Sequence, residues 1–143
     1  MLAGDGIKKD TKALGVLVVT VHHAEGLAAQ DRGGKSDPYI VLAFAKFGKP
    51  LHSTRVITGD VNPVWEETAF LLVTDEEVKG EEELSATLWD SDKRTADDLV
   101  GRTTFPLTEI MKTPNKMFDR ADKLQGFEDA NDMPGTLFWS VGY

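Results

Sequence analysis

The chain contains no cysteine. That rules out a disulfide framework, a thiolate metal site and a cysteine nucleophile, and it fits a reducing compartment. Long apolar runs are also lacking. The longest, Gly15 to Val21 and Tyr39 to Ala45, fall far short of the roughly 20 residues that cross a bilayer as a helix. Basic residues are too few to balance the acids: 16 Lys and Arg against 24 Asp and Glu give a net charge of −8. Nucleic-acid binding needs a basic face, so nucleic acid is excluded as a partner. The same charge opposes an anionic membrane surface unless a bound cation offsets it. Met1 to Lys12 contains no apolar signal core, so residues 1–13 read as a linker or edge segment. Residues 14–143 read as one globular domain, with 41% hydrophobic content in a chain of 143 residues sufficing for a single core.

Sustained helical periodicity is missing too, and a period of two takes its place. Leu17, Val19 and Val21 alternate with Val16, Val18, Thr20 and His22, the pattern of a half-buried strand. Further runs at 39–47, 54–57, 67–74, 84–89, 100–105, 118–124 and 135–143 are separated by Gly, Pro, Asn and Asp. This predicts an all-β fold, an antiparallel sandwich of eight short strands. One helical turn is expected at Thr108 to Lys112, capped by Thr108 and stopped before Pro114. Alternating strand direction places the loops around Asp31, Gly59 to Pro63 and Asp90 at one end. The acidic stretch Asp75 to Glu83 falls at the other.

Two of those loops are rich in aspartate. One reads Asp31-Arg-Gly-Gly-Lys-Ser-Asp37-Pro38-Tyr39; the other carries Asp90, Asp92 and Asp98. Calcium takes about six to eight oxygen ligands in flexible geometry, and these five carboxylates can supply most of such a shell. Crowded together without a cation they would repel one another. Asp97 stands beside Asp98, and spacing alone leaves open which of the two is the ligand.

Other readings of these residues are weaker. Asp90 to Gly101 is not an EF-hand loop, since Thr95 and Gly101 stand where glycine and glutamate belong. An Asp-x-Asp transferase needs an α/β nucleotide framework that the chain does not contain. No nucleophile–base constellation is visible, so no enzymatic activity is expected. His22 and His23 are strand neighbours, which point to opposite faces and cannot share an ion. Trp65, Trp89 and Trp139 read as packing, Glu81 to Glu83 as a solvated turn, and Asn62-Pro63 as a turn at the aspartate end.

Gly26-Leu27, Ser36-Asp37-Pro38-Tyr39, Asn62-Pro63-Val-Trp65-Glu66-Glu67 and Trp89-Asp90-Ser-Asp92 through Asp98 to Gly101 together resemble C2 domains. These are calcium- and phospholipid-binding β-sandwiches. The resemblance implies that Asp31, Asp37, Asp90, Asp92 and Asp98 are the Ca2+ ligands. The last strand of the chain, Gly135 to Tyr143, resembles the opening strand of the other family topology, which implies the permuted, type II arrangement. The motifs also resemble the C2 domains of tricalbin-like and extended-synaptotagmin-like lipid-transfer tethers. The implied function is calcium-dependent docking of a larger, multidomain protein on anionic phospholipid, with phosphatidylserine and phosphoinositides as candidate headgroups. The implied location is cytoplasmic and peripheral, on the cytosolic leaflet or at membrane contact sites. A calcium-independent protein-interaction domain is the alternative. Where many family members carry apolar loop tips, this chain has Arg32 and Arg94, flanked by Lys35 and Lys93, while Arg55 stands on the flank where phosphoinositide binders carry lysines.

Overall fold

The computed structural model describes residues 11–27, 36–127 and 134–143. Among these residues the chain forms β1 (Ala13–Glu25), β2 (Pro38–Phe44), β3 (Pro50–Ser53), β4 (Val64–Thr74), α1 (Asp75–Lys79), β5 (Glu83–Asp90), β6 (Asp98–Pro106), α2 (Leu107–Met111), β7 (Met117–Lys123), β8 (Gln125–Gly126) and β9 (Thr136–Gly142). One sheet has the order β4-β1-β9-β7 and the other β3-β2-β5-β6-β8. Every pairing is antiparallel. Alternation along β1 buries Leu17, Val19 and Val21 completely, facing Ile40, Leu42, Leu84, Ala86 and Leu88 of the second sheet. Trp65 and Trp139 fill the remaining space between the layers.

The last strand settles the topology. β9 lies between β1 and β7, in the middle of its sheet, which is the permuted, type II arrangement. Its end returns to the start of β1. The Tyr143 hydroxyl donates to the Leu14 carbonyl at 2.9 Å, and the Lys12 amide donates to Asp75 Oδ1 at 2.9 Å. Lys12 and Tyr143 therefore sit at the α1 end, opposite the aspartate-rich loops.

Local details depart from the sequence reading. The strand expected over 54–57 is Pro50–Ser53 instead. Beyond it, the Thr54 amide still donates to the Ile40 carbonyl at 2.9 Å, but the Ile40 amide donates to the Thr54 hydroxyl at 2.9 Å instead of to a carbonyl, so a side chain takes over half of the pairing beside β2. With two-residue β8, the described residues contain nine strands rather than eight. α2 begins at Leu107 after Pro106, which makes no side-chain cap; Thr108 lies inside the first turn and cannot cap it. The acidic stretch is not all solvated turn. Thr74 and Glu77 form a capping box that starts α1, and Glu82 is buried, accepting from the Lys46 and Phe47 amides at 3.0 and 3.3 Å. Trp89 is only half-buried and stands on the outer face of its sheet, unlike Trp65 and Trp139.

Candidate metal and membrane site

Register brings the acidic residues together. Asp90 ends β5 and pairs with Pro38 on one side and Asp98 on the other. Asp37, Asp90 and Asp98 therefore occupy three adjacent strand ends, with neighbouring strands spaced at roughly 4.8 Å. The Asp37 amide donates to Asp90 Oδ1 at 2.8 Å. The Ser91 amide donates to the Asp37 carbonyl at 2.9 Å. Asp37 Oδ1 in turn accepts from the Gly59 amide at 2.6 Å. Gly59 has φ +67, a left-handed turn conformation that glycine adopts without steric cost. Asn62 accepts from the Gly26 amide at 2.9 Å, so the Asn-Pro turn braces the same end, tying β1 to the loop before β4.

Electrostatics follow from this crowding. Burial raises the Asp90 carboxyl above its usual range; the Asp37 amide and Ser36 hydroxyl pull the other way, while the Asp37 and Asp98 charges add to the rise. Asp92 behaves differently. It is exposed, and its Oδ1 accepts from the Arg94 and Thr95 amides at 2.8 and 3.3 Å. The Arg94 amide is the main reason its carboxyl is held below the usual range. Asp97 is likewise lowered, chiefly by the Tyr39 hydroxyl, which donates to it at 2.5 Å. Burial and that same carboxylate push Tyr39 up to about 12.

Asp31, Arg32 and Lys35 lie outside the described residues. Lys93 and Arg94 are exposed on the tip between β5 and β6. Arg55 is engaged elsewhere. Its guanidinium pairs with Glu67 at 3.1 Å and donates to the Val64 carbonyl at 3.2 Å. Among the described residues, no three His, Cys, Asp or Glu are grouped so as to hold a metal ion. What is present is a row, Asp37–Asp90–Asp98, with Asp92 turned onto its own loop. The donor chemistry fits a hard divalent cation: carboxylate oxygens only, with one buried carboxyl flanked by like charges that a cation would relieve.

Two features of this end escaped the motif reading. Gly59 fixes the Asp37 carboxylate, a role that only the folded loop reveals. Tyr39 holds Asp97, and this was partly legible, because the burial of Ile40 and Leu42 turns Tyr39 outward.

Side-chain chemistry also gathers on the outer face of the first sheet. Both pairings of β1 shift register between Val21 and His23. This bulge lets His22 and His23 border one open depression of about 370 Å³ with Glu66, Asp119 and Phe138, against the expectation that they face apart. His22 bridges Glu66 at 2.5 Å and Ser140 at 2.8 Å, and His23 stacks on Phe138 at 4.4 Å between ring centres. The two imidazoles are each committed to different partners and do not form a metal pair.

The fold is thus a two-sheet antiparallel sandwich with its last strand centrally inserted and a row of aspartates at one end. The sequence profile of the C2 domain matches residues 15–121, and the chain belongs to the C2 domain family. Such domains are generally non-catalytic binding modules. Among curated proteins it is similar to the meiotically up-regulated gene 190 protein of Schizosaccharomyces pombe, 46% identical over 142 residues, 99% of this chain and 12% of that protein. The chain thus spans about an eighth of that relative's length. Among solved structures it is similar to a C2 domain of plant extended synaptotagmin 1, with a TM-score of 0.77 at 22% identity over 92% of this chain and 95% of that one. It also resembles the calcium-bound pair of C2 domains of extended-synaptotagmin 2, with a TM-score of 0.71 at 27% identity over 90% of this chain and 45% of that one. No helix among the described residues is long and apolar enough to cross a membrane.

Proposed function

We propose that this domain binds anionic phospholipid in a calcium-dependent manner and docks a larger protein on the cytosolic face of membranes, contact sites included. The observation that carries the reading is the row of Asp37, Asp90 and Asp98 on three neighbouring strand ends, with Asp90 buried and raised by its surroundings. Asp31 and Asp92 complete the ligand set. Calcium, when bound, supplies positive charge and coordination sites for lipid phosphate. The protein's own part is electrostatic. Five carboxylates repel an anionic leaflet, and about two divalent ions would bring their charge to roughly −1. Arg32, Lys35, Lys93 and Arg94 then dominate the tips, each contributing on the order of 1 kcal/mol near a negative leaflet. Arg55 contributes only if it leaves Glu67, so the tips rather than that flank determine affinity. The calcium-bound state of the extended-synaptotagmin 2 domains supports the same chemistry here.

Cosedimentation with phosphatidylserine vesicles tests this. Pelleting in calcium and not in chelator is expected. Equal pelleting in both would refute the calcium dependence, and none in either would favour a domain for protein partners.

A further inference from the structure

Asp92 and Asp98, two of the five ligands proposed above, flank a loop that carries a third carboxylate, Asp97. Its two oxygens are both occupied from within the protein. Oδ1 accepts from the Asp92 amide at 3.0 Å, and Oδ2 accepts from the Tyr39 hydroxyl at 2.5 Å. Tyr39 is on β2 and Asp97 immediately precedes β6, with β5 between those strands in the sheet. The tyrosine therefore reaches across β5, past its cross-strand partner Trp89, on the outer face of the sandwich. Asp98 is on the paired strand and meets Asp90; adjacent residues of an extended chain project to opposite sides, so Asp97 faces the tyrosine while Asp98 faces the acidic row.

We propose that the Tyr39–Asp97–Asp92 hydrogen-bond chain tethers the β5–β6 loop to the outer sheet, making Asp97 and Tyr39 positioning residues for the cation site and Asp97 no ligand. The consequence for calcium rests on the function proposed above; the tether itself does not. A charge-assisted hydroxyl–carboxylate bond is among the stronger side-chain hydrogen bonds. It fixes the loop at its β6 end, beside Asp98, and through the Asp92 amide it also ties down the loop's β5 end. Without it the loop must be ordered when the ion arrives, at an entropic cost.

Tyr39→Phe keeps the ring and removes only the hydroxyl. In metal-free protein, amide hydrogen exchange at Asp92 should accelerate by roughly ten-fold in this variant, with Ile40 exchange unchanged and the thermal midpoint lowered by only a few degrees. An Asp92 amide whose protection is unaffected by Tyr39→Phe would overturn the tether. In calcium titration by calorimetry, Tyr39→Phe should weaken binding by roughly ten-fold, as loss of an outer partner of a ligand typically does. That loss should vanish when Asp97→Ala is already present. Independent, additive losses would overturn the coupling. If the unmutated protein takes no calcium, the proposed function fails, while the exchange experiment still decides the tether.

Discussion

The Asp90 carboxyl is buried at the end of a central strand, with Asp37 and Asp98 on either side. Its folded pKa is raised, so the proton is held more tightly in the fold than in the unfolded chain. The associated stability is present below the unfolded carboxylate range and is lost as pH rises through the folded value. At neutral pH the ionised group is a liability that a cation would relieve. Asp90→Asn keeps an Oδ1 acceptor for the Asp37 amide and removes the charge. It should raise the stability of the metal-free protein by on the order of 1 kcal/mol, while abolishing any calcium-induced rise in thermal midpoint. Differential scanning calorimetry in chelator and in calcium reads both effects. A metal-free midpoint lower than that of the unmutated protein would contradict this account. The aspartates as a group were legible because their spacing survives in one dimension. Their inequality was not, because burial and cross-strand neighbours distinguish Asp90 from Asp92.

At the scale of elements, the strands follow alternation, and the departures have local causes. Thr74-Asp-Glu-Glu77 has the spacing of a capping box, and the structure shows both halves: Glu77 accepts from the Thr74 amide at 2.6 Å, and the Glu76 amide donates to Thr74 Oγ1 at 3.3 Å. The five-residue α1 is too short to leave a periodic signature, so its cap was the only signal in the sequence. Thr74→Ala should cost about 1 kcal/mol, measured as a lower urea midpoint at unchanged slope. A change below a few tenths of that would show that the helix is held by the sheet rather than by its cap. The His22 bulge has no such signal. Glu66 opposite it adopts φ +48, an uncommon conformation for a residue with a side chain, and the irregularity in both strands re-aims their side chains as bulges do. A strict period of two assumes an unbroken ladder and so placed the histidines on opposite faces.

For the whole molecule, charge separates folding from docking. A net charge of −8 opposes an anionic surface, and the basic residues proposed to reverse this locally, Lys93 and Arg94 together with Arg32 and Lys35, belong to the aspartate-rich segments. Vesicle binding in calcium should therefore be lost at about 0.5 M salt, where screening shortens electrostatic reach to a few ångströms. Retention at that salt would mean apolar insertion rather than surface docking. The sequence by itself determined the all-β class, the alternating core and which loops carry the aspartates, because each is a local pattern of periodicity or motif; the type II order was implied by resemblance and rests on β9 lying between β1 and β7. Only the tertiary structure decided that Asp37, Asp90 and Asp98 stand in one row, that Asp97 belongs to Tyr39, and that Arg55 belongs to Glu67. Those pairings depend on strand register and on contacts between residues far apart in the chain, which local patterns do not encode.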